Sequence, residues 1–241
     1  MSSVETRKFE PATGTAVNLG ASGDAVTLPA GVTLKTNTIK DAGGNTIFTS
    51  DGAGTLSSVN SALQGGMVFI SSQTASSSAS LSFTSGIDST YDEYVFYFVN
   101  INPASDQASF TWQASTDGGS SYGMTITSSA FQAYQNEAGD SYALQYNTAS
   151  DKAQATTFQN ITYLQGNESD KSYSVELHLF NPSSTTYVKN FYSIANNCEH
   201  QDMTQNMFIG GYINSTSDVD AIQFKMSSGN FDGTIAMYGI K

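Results

Sequence analysis

Strand-like runs with period-two alternation dominate the chain from residue 67 to its end. They are rich in Val, Ile, Tyr, Phe and Thr, and they recur roughly every 8–15 residues between turn-forming residues. In SYSVELHLF, the apolar side chains at alternate positions from Tyr173 to Leu179 share one face, whereas Glu176 and His178 share the other. No long helical period is visible. The pattern predicts an all-β fold, with 67–241 forming an antiparallel, jelly-roll-like β-sandwich of roughly ten or eleven short strands.

One run is apolar on both of its faces. In DEYVFYFVN, the alternate residues from Tyr94 to Phe98 lie on one side, and those from Val95 to Val99 lie on the other. A strand that is apolar on both sides is buried on both sides. We therefore expect this strand to lie between two sheets or against a neighbouring subunit.

Three connecting segments carry local predictions. Ser115–Tyr122 (STDGGSSY) is predicted to be a hairpin, because its Gly pair readily supplies positive φ. Thr74–Phe83 (TASSSASLSF) is also interpreted as a hairpin with a polar loop. Gln135–Tyr146 is compatible with either one short helix or a loop.

Residues 1–66 follow a different pattern. Apolar residues occur in pairs spaced by two or singly, and Gly-rich turns separate them: Val17/Leu19, Val26/Leu28, Val32/Leu34, Ile39, Ile47 and Leu56. One or two buried side chains, at about 1.5–3 kcal/mol each, do not offset the ordering cost of each piece. The segment is therefore either a disordered linker or a shaft whose apolar faces are pooled among identical chains. The alternation favours the second, an extended Gly-rich arm or trimeric shaft over 1–66 that anchors the 67–241 head.

Charge and composition exclude several classes of function. The net charge is −12, Lys and Arg total only 9, and Arg7 is the single arginine. Without basic patches, neither nucleic-acid binding nor binding to an anionic membrane is expected. No apolar run is long enough to span a bilayer, and the first residues lack the apolar core of a secretory signal, so synthesis and folding in a cytoplasm are expected. Charged residues make up only 12% of the chain, about half of the usual share, which is typical of surfaces that pack side by side.

Residues suited to catalysis are sparse. Cys198 is the single cysteine, so no intrachain disulfide is possible, and it is interpreted as an inert thiol. His178 is predicted to form a surface pair with Glu176. A nucleophilic dyad of Cys198 with His200 lacks any sign of an oxyanion hole nearby. We therefore predict no catalytic residues and no cofactor.

Carboxylates provide the remaining chemical candidates. Most of them lie in Ser-, Asn- or Gly-containing turns, where Asp is expected to bend the chain rather than to cut a glycan: Asp88, Asp92, Glu93, Asp140, Glu168, Asp170, Asp218 and Asp220. Asp218 and Asp220 suit a Ca²⁺ ion in residue type, but the DxDxDG pattern of a calcium loop is absent. We predict no metal site.

Four tyrosines near predicted loops are the candidate host-binding residues: Tyr122, Tyr134, Tyr142 and Tyr146. Tyrosine next to Asn and Gln is suited to stacking on sugars. The same residues are equally suited to contacts between subunits, and the sequence leaves both interpretations open.

Several segments resemble a known group of proteins. LGASGDAVTLPAGVTL, LHLFNPSSTTYVKNF and, above all, the closing SSGNFDGTIAMYGIK are similar to virion structural proteins of marine bacteriophages, usually labelled tail-fibre or structural proteins. The resemblance extends from about Leu19 to Lys241. It implies a virion location after synthesis in the host cytoplasm, and it brings no functional residues.

Three roles are compatible with that resemblance. The first is a non-enzymatic, short trimeric fibre whose head adheres to the host cell surface, with a surface glycan as a possible partner. The second is a capsid (head) decoration protein or head fibre, held on other virion proteins by the N-terminal arm. The third, a depolymerase tailspike, requires a pair of catalytic carboxylates across a sugar-sized cleft.

Overall fold

The structure, a computed structural model, describes residues 36–53, 56–59 and 66–241. All regular elements in these residues are β-strands, as the sequence predicts. The chain divides into two compact units, 1–63 and 64–241, which we describe separately. The apolar pairs between Val17 and Leu34 lie outside the described residues.

The first unit contains a small antiparallel sheet of three strands in the order β1-β2-β3. They are β1 (Thr38–Lys40), β2 (Thr46–Ser50) and β3 (Leu56–Val59). Among the side chains described in these strands, none is fully buried, and Leu56 is 51% exposed. The described part of this unit therefore has strands but no buried apolar core.

The second unit contains two antiparallel sheets. The larger has nine strands in the order β10-β8-β14-β13-β12-β6-β16-β4, with β9 also paired to β8. Its strands are β4 (Met67–Ser78), β6 (Glu93–Pro103), β8 (Ile126–Asn136), β9 (Tyr142–Tyr146), β10 (Lys152–Ala155), β12 (Tyr173–Phe180), β13 (Lys189–Glu199), β14 (Met203–Ile213) and β16 (Phe231–Ile240). The smaller has four strands in the order β11-β7-β15-β5. Its strands are β5 (Leu81–Phe83), β7 (Phe110–Ser115), β11 (Gln159–Asn160) and β15 (Ala221–Met226).

The two sheets face each other across one aromatic core. Phe98 of the large sheet meets Phe224 of the small sheet with ring centroids 4.9 Å apart, and Trp112 meets Phe191 at the same distance. The alternation in SYSVELHLF is confirmed, since its apolar residues from Tyr173 to Leu179 are buried in this core. Edge-to-face pairs of this kind add about 0.5–1.5 kcal/mol each to the burial of their area.

The unequal widths of the sheets decide where other surfaces form. The four-stranded sheet cannot cover the whole inward face of the nine-stranded sheet. Along β8 and β14, the inward-facing residues are apolar at one end and become polar at the end that lies beside β9. Ile126 and Ile209 are buried in the core, whereas Gln132 and Gln205 occupy equivalent inward positions further along the same strands. Gln165 bridges Ala108 of the small-sheet side to Glu199 at the end of β13.

The predicted hairpin at Ser115–Tyr122 is wrong. The turn itself forms, with Gly118 and Gly119 at positive φ of 70° and 84°. The hydroxyls of Ser115 and Ser121 donate to Asp117 and lower the pKa of that carboxyl to about 2. However, β7 belongs to the small sheet and β8 to the large one. The turn carries the chain between sheets, because flanking strands in a sandwich need not pair with each other.

The other two local predictions also need correction. Thr74–Phe83 is not a hairpin, because β4 and β5 lie in different sheets. Gln135–Tyr146 is neither a helix nor an irregular loop. It forms a tight hairpin between β8 and β9, in which Asn136 Nδ2 donates to Asp140 Oδ1 at 2.7 Å and Gly139 takes a φ of 74°. The spacing of Asn, Gly and Asp carries that turn.

Candidate functional sites: an aromatic sheet face and an amide cleft

The outward face of the nine-stranded sheet, here called the outer face, is unusually apolar. Ten large hydrophobic side chains are exposed among the described residues, and eight of them lie on this face. They are Met67, Phe69, Val99, Phe131, Tyr142, Leu144, Tyr146 and Tyr192. Soluble monomers rarely expose so many large apolar side chains on one face, so this face is a candidate interaction surface.

One end of the outer face is the β9-side cluster, made of Phe131, Tyr142, Leu144, Tyr146 and Phe208. The register places Phe131 beside Tyr146 on one side and beside Phe208 on the other. The rings of Phe131 and Phe208 stack with centroids 5.0 Å apart. Leu144 is 74% exposed and Tyr142 is 71% exposed. This cluster therefore presents a large apolar area at the edge of the sheet.

The opposite end is the β4-side cluster, made of Met67, Phe69, Tyr97, Val99 and Tyr238. The Tyr238 ring contacts Phe69 and Tyr97 edge-on, with centroid distances of 5.5 Å and 5.7 Å. Phe69 is 57% exposed and Val99 is 50% exposed. The two clusters are separated by the strands β13 and β12.

The expectation that DEYVFYFVN is buried on both sides is met only in part. Val95 points to the outer face but is fully buried, because His178 and Tyr238 flank it in register. Tyr97 is half-buried, and Val99 is exposed within this chain.

Between the clusters lies a small polar group. His178 stacks on Tyr192 with ring centroids 4.3 Å apart, and its Nδ1 contacts the Oε1 atom of Glu93. The sequence predicts Glu176, on the same strand, as the partner of His178, and that prediction is wrong: His178 contacts Glu93 of β6, which pairs directly with β12. Burial, together with Glu93 and Glu176, raises the pKa of Tyr192.

On the inward side of β8, β9 and β14 lies a cleft of about 290 Å³, here called the amide cleft. Its lining is dominated by amides and aromatic rings: Gln132, Tyr134, Ser141, Gln145, Tyr163, Glu199, Gln201, Met203 and Gln205. The register explains this grouping, since Gln132 faces Gln145 on β9 and Tyr134 faces Gln205 on β14. The cleft occupies the part of the inward face that turns polar towards β9.

Hydrogen bonds orient the floor of the amide cleft. The Oε1 atom of Gln132 accepts from Asn147 Nδ2 at 2.6 Å and from Gln205 Nε2 at 3.3 Å. The carboxylate of Glu199 accepts from the backbone N–H of Gln201 at 2.7 Å. Gln205 is only 3% exposed, yet its Oε1 atom is buried without a hydrogen-bond partner.

The four predicted host-binding tyrosines do not form one site. Tyr142 and Tyr146 lie on the outer face in strand β9, and Tyr146 donates to Asp151 Oδ2 at 2.8 Å. Tyr134 lies on the opposite face of the sheet, in the amide cleft. The hydroxyl of Tyr122 is buried in the loop before β8. Proximity in sequence does not bring these tyrosines together in space, because alternate residues of a strand face opposite sides of the sheet.

The glutamines of the amide cleft escaped the sequence prediction. Gln132, Gln145 and Gln205 belong to three different strands and share no motif. The sequence feature that points to this cleft is a polar residue in the apolar series of a strand, such as Gln205 two residues before Met207.

The other residues considered for catalysis or metal binding have structural roles in their immediate surroundings. Burial raises the pKa of the Cys198 thiol, which disfavours a nucleophilic thiolate, and His200 Nδ1 contacts Glu199 Oε1. Asp220 accepts from the backbone N–H of Gly118 at 3.0 Å, as a turn residue does. In the part of the chain that the structure describes, no three His, Cys, Asp or Glu side chains converge as metal ligands do.

Among the residues with described structure, no helix has the length and apolar character required to cross a membrane. No family model, no curated protein and no solved structure matches this chain.

Proposed function

We propose that this protein is a non-catalytic surface protein of a phage virion that acts as a short homotrimeric fibre, with its 67–241 head adhering to the host cell surface. The observation that supports the proposal is the concentration of exposed apolar side chains on the outer face. Eight large hydrophobic residues on one sheet face are a surface suited to assembly.

The occupant of the outer face is another copy of the same chain. From β9 to β4 the sheet is eight strands wide, or roughly 34 Å, and strands of about ten residues are roughly 34 Å long. The resulting face of roughly 1,000 Å² is shared between the two contacts that each copy makes in a cyclic trimer, so each copy gives roughly 500 Å² to each contact, against the approximately 800 Å² per partner of a standard-sized interface. A second copy supplies the apolar character required, and burial of the whole face takes contacts with two neighbouring copies.

The two ends of the outer face are suited to threefold symmetry. In a cyclic trimer each contact is heterologous, so one patch of a copy meets a different patch of the next copy. The β9-side cluster and the β4-side cluster are two such patches on one sheet. We propose that the β9-side cluster of each copy packs on the β4-side cluster of the next, closing the ring.

Charge is compatible with this assembly. A chain with a net charge of −12 repels its own copies unless the acidic groups lie away from the contact. The proposed contact residues are uncharged. Asp151 accepts a hydrogen bond from the Tyr146 hydroxyl beside the β9-side cluster, whereas Glu93, which contacts His178, and Glu176 lie between the two clusters. The contact residues themselves are thus uncharged, and these three carboxylates lie beside or between the clusters rather than within them.

The virion location rests on the resemblance of SSGNFDGTIAMYGIK and the related segments to marine phage structural proteins. A trimeric head gives weak contacts with host glycans the advantage of threefold avidity. A capsid decoration role is the alternative, and the copy number in the particle separates the two. Tens of copies at the tail support the fibre, whereas hundreds that match the capsid lattice contradict it.

Sedimentation equilibrium of the purified full chain tests the assembly. The expected mass is three times 25.6 kDa at micromolar concentration. A species of 25.6 kDa that persists over that concentration range contradicts the proposal.

A further inference from the structure

We infer that the amide cleft binds one neutral saccharide unit, held between tyrosine rings and glutamine amides. This inference deepens the proposed function, on which it rests, because it names the ligand class that the head takes from a host surface. The site is separate from the outer face, since Tyr134, Gln132 and Gln205 point to the inward side of the sheet.

The size of the cleft limits the ligand. Its volume of about 290 Å³ lies at the lower end of the range for small-molecule sites. A single sugar ring suits such a volume, whereas a folded peptide segment or an oligosaccharide held along its length does not. Tyr134 and Tyr163 supply aromatic surface for the apolar C–H face of the ring.

The polar lining has the mixed character that a sugar requires. Each glutamine amide offers donors and an acceptor, and vicinal hydroxyls both donate and accept. Gln145 and Gln201 are exposed at the rim, whereas Gln132 and Gln205 are 5% and 3% exposed at the floor. Amides at two depths allow contacts with hydroxyls on more than one side of the ring.

The floor contains an unsatisfied acceptor. Gln205 Nε2 is committed to Gln132 Oε1, which fixes the side chain, and the Oε1 atom of Gln205 is left buried without a donor. A buried acceptor without a donor is destabilising because it has lost its hydrogen bonds to water. Because this oxygen is shielded from water, a ligand hydroxyl gains access to it only when a neighbouring side chain shifts.

The charge at the cleft selects a neutral ligand. Glu199 lines the wall and is 6% exposed, and the whole chain carries a net charge of −12. The nearby contacts of Glu199 with His200 and with the Gln201 backbone hold its carboxylate in place. A carboxylated sugar brings a second negative charge beside it, which disfavours binding.

Saturation-transfer NMR of the full chain tests the inference directly. The probes are the methyl glycosides of glucose, galactose and mannose, N-acetylglucosamine, and N-acetylneuraminic acid as the anionic member. We expect saturation of at least one neutral sugar at millimolar concentration and none of the anionic one. The inference is overturned if no neutral sugar is saturated, or if the anionic sugar is saturated equally.

Three variants locate the binding. Gln145→Ala changes an exposed rim residue, Tyr134→Ala removes an aromatic wall, and Gln205→Met removes the buried acceptor. Each should weaken the affinity for the neutral sugar about tenfold, as the loss of one stacking or hydrogen-bonding contact does. Tyr187→Ala, at a loop residue that is 68% exposed and outside the cleft, is the matched control and should leave affinity unchanged.

The result is separable from that of the proposed assembly. Gln145→Ala lies on the inward face, so it should weaken sugar binding about tenfold while the sedimentation mass stays that of the parent chain. If Gln145→Ala and Tyr134→Ala both retain full affinity while folded, the ligand binds elsewhere and the inference is wrong. A parent chain that is monomeric but binds neutral sugar through this cleft contradicts the trimer alone.

Discussion

The double substitution Phe131→Ser/Leu144→Ser should dissociate the trimer without unfolding the head. Both side chains belong to the β9-side cluster, where Phe131 is 45% exposed and Leu144 is 74% exposed within one chain. Because neither is part of the buried core, their replacement should have little effect on the packing between the sheets. The effect is therefore expected in assembly rather than in folding.

The magnitude follows from the exposed area. A phenylalanine side chain offers about 200 Å², so covering the exposed part of Phe131 removes about 90 Å² from water, or about 2 kcal/mol. Covering three quarters of a leucine adds about 1–2 kcal/mol. Each contact thus loses about 3–4 kcal/mol, and a cyclic trimer has three such contacts, which amounts to about 10 kcal/mol per trimer.

Sedimentation velocity over a dilution series measures this loss. The parent chain should remain trimeric where the double variant is monomeric, and the thermal unfolding of the variant head should stay cooperative. Tyr187→Ser, at a residue of similar exposure outside the face, is the control. If the double variant keeps the trimer mass at every concentration, the β9-side cluster is not an interface and the area reasoning is refuted.

Three further predictions concern the stability of the head. Burial raises the pKa of Tyr94 to about 12. The stability that its neutral phenol provides below pH 10 should therefore be lost as the pH rises from 10 to about 12. Urea unfolding measured against pH should show a smaller loss of stability at alkaline pH in Tyr94→Phe than in the parent chain. Lys189 is fully buried, and its Nζ donates to three backbone carbonyls. Lys189→Met should therefore lower the free energy of unfolding in urea by roughly 2–5 kcal/mol. An unchanged midpoint of urea unfolding would contradict this. A Cβ on Gly211 would lie 2.4 Å from the carbonyl oxygen of Thr127. Gly211→Ala should therefore lower the stability of the head by about 1–3 kcal/mol in a thermal melt. Gly210→Ala is the control and should leave the melt unchanged, because a Cβ on Gly210 has no atom within 4 Å.

The strand pattern was predictable because it depends on local alternation. The buried side of SYSVELHLF follows from period two alone, and the core of the sandwich confirms it. Pairing between strands was less predictable, because it depends on residues far apart in sequence. Glu93 and His178 meet across β6 and β12, although 85 positions separate them.

The same limit applies to the candidate sites. The sequence predicts Tyr134, Tyr142 and Tyr146 as candidate binding residues, but their division between two faces depends on the register of the β8–β9 hairpin. The amide cleft exists because a four-stranded sheet lies opposite a nine-stranded one. Sheet width is a property of the whole topology, so no short stretch of sequence encodes it.

Photo-crosslinking from position 144 tests most directly which surfaces join the copies. A benzoylphenylalanine replaces Leu144 in the full chain, and mass spectrometry maps the peptide that it captures after illumination. Capture of a second copy at the β4-side cluster, in peptides containing Phe69, Val99 or Tyr238, is the predicted result. Capture of the β9 strand of a second copy would indicate a twofold interface. Crosslinks confined to a single chain would show that the outer face has no partner. Either result contradicts the proposed contact between the β9-side and β4-side clusters.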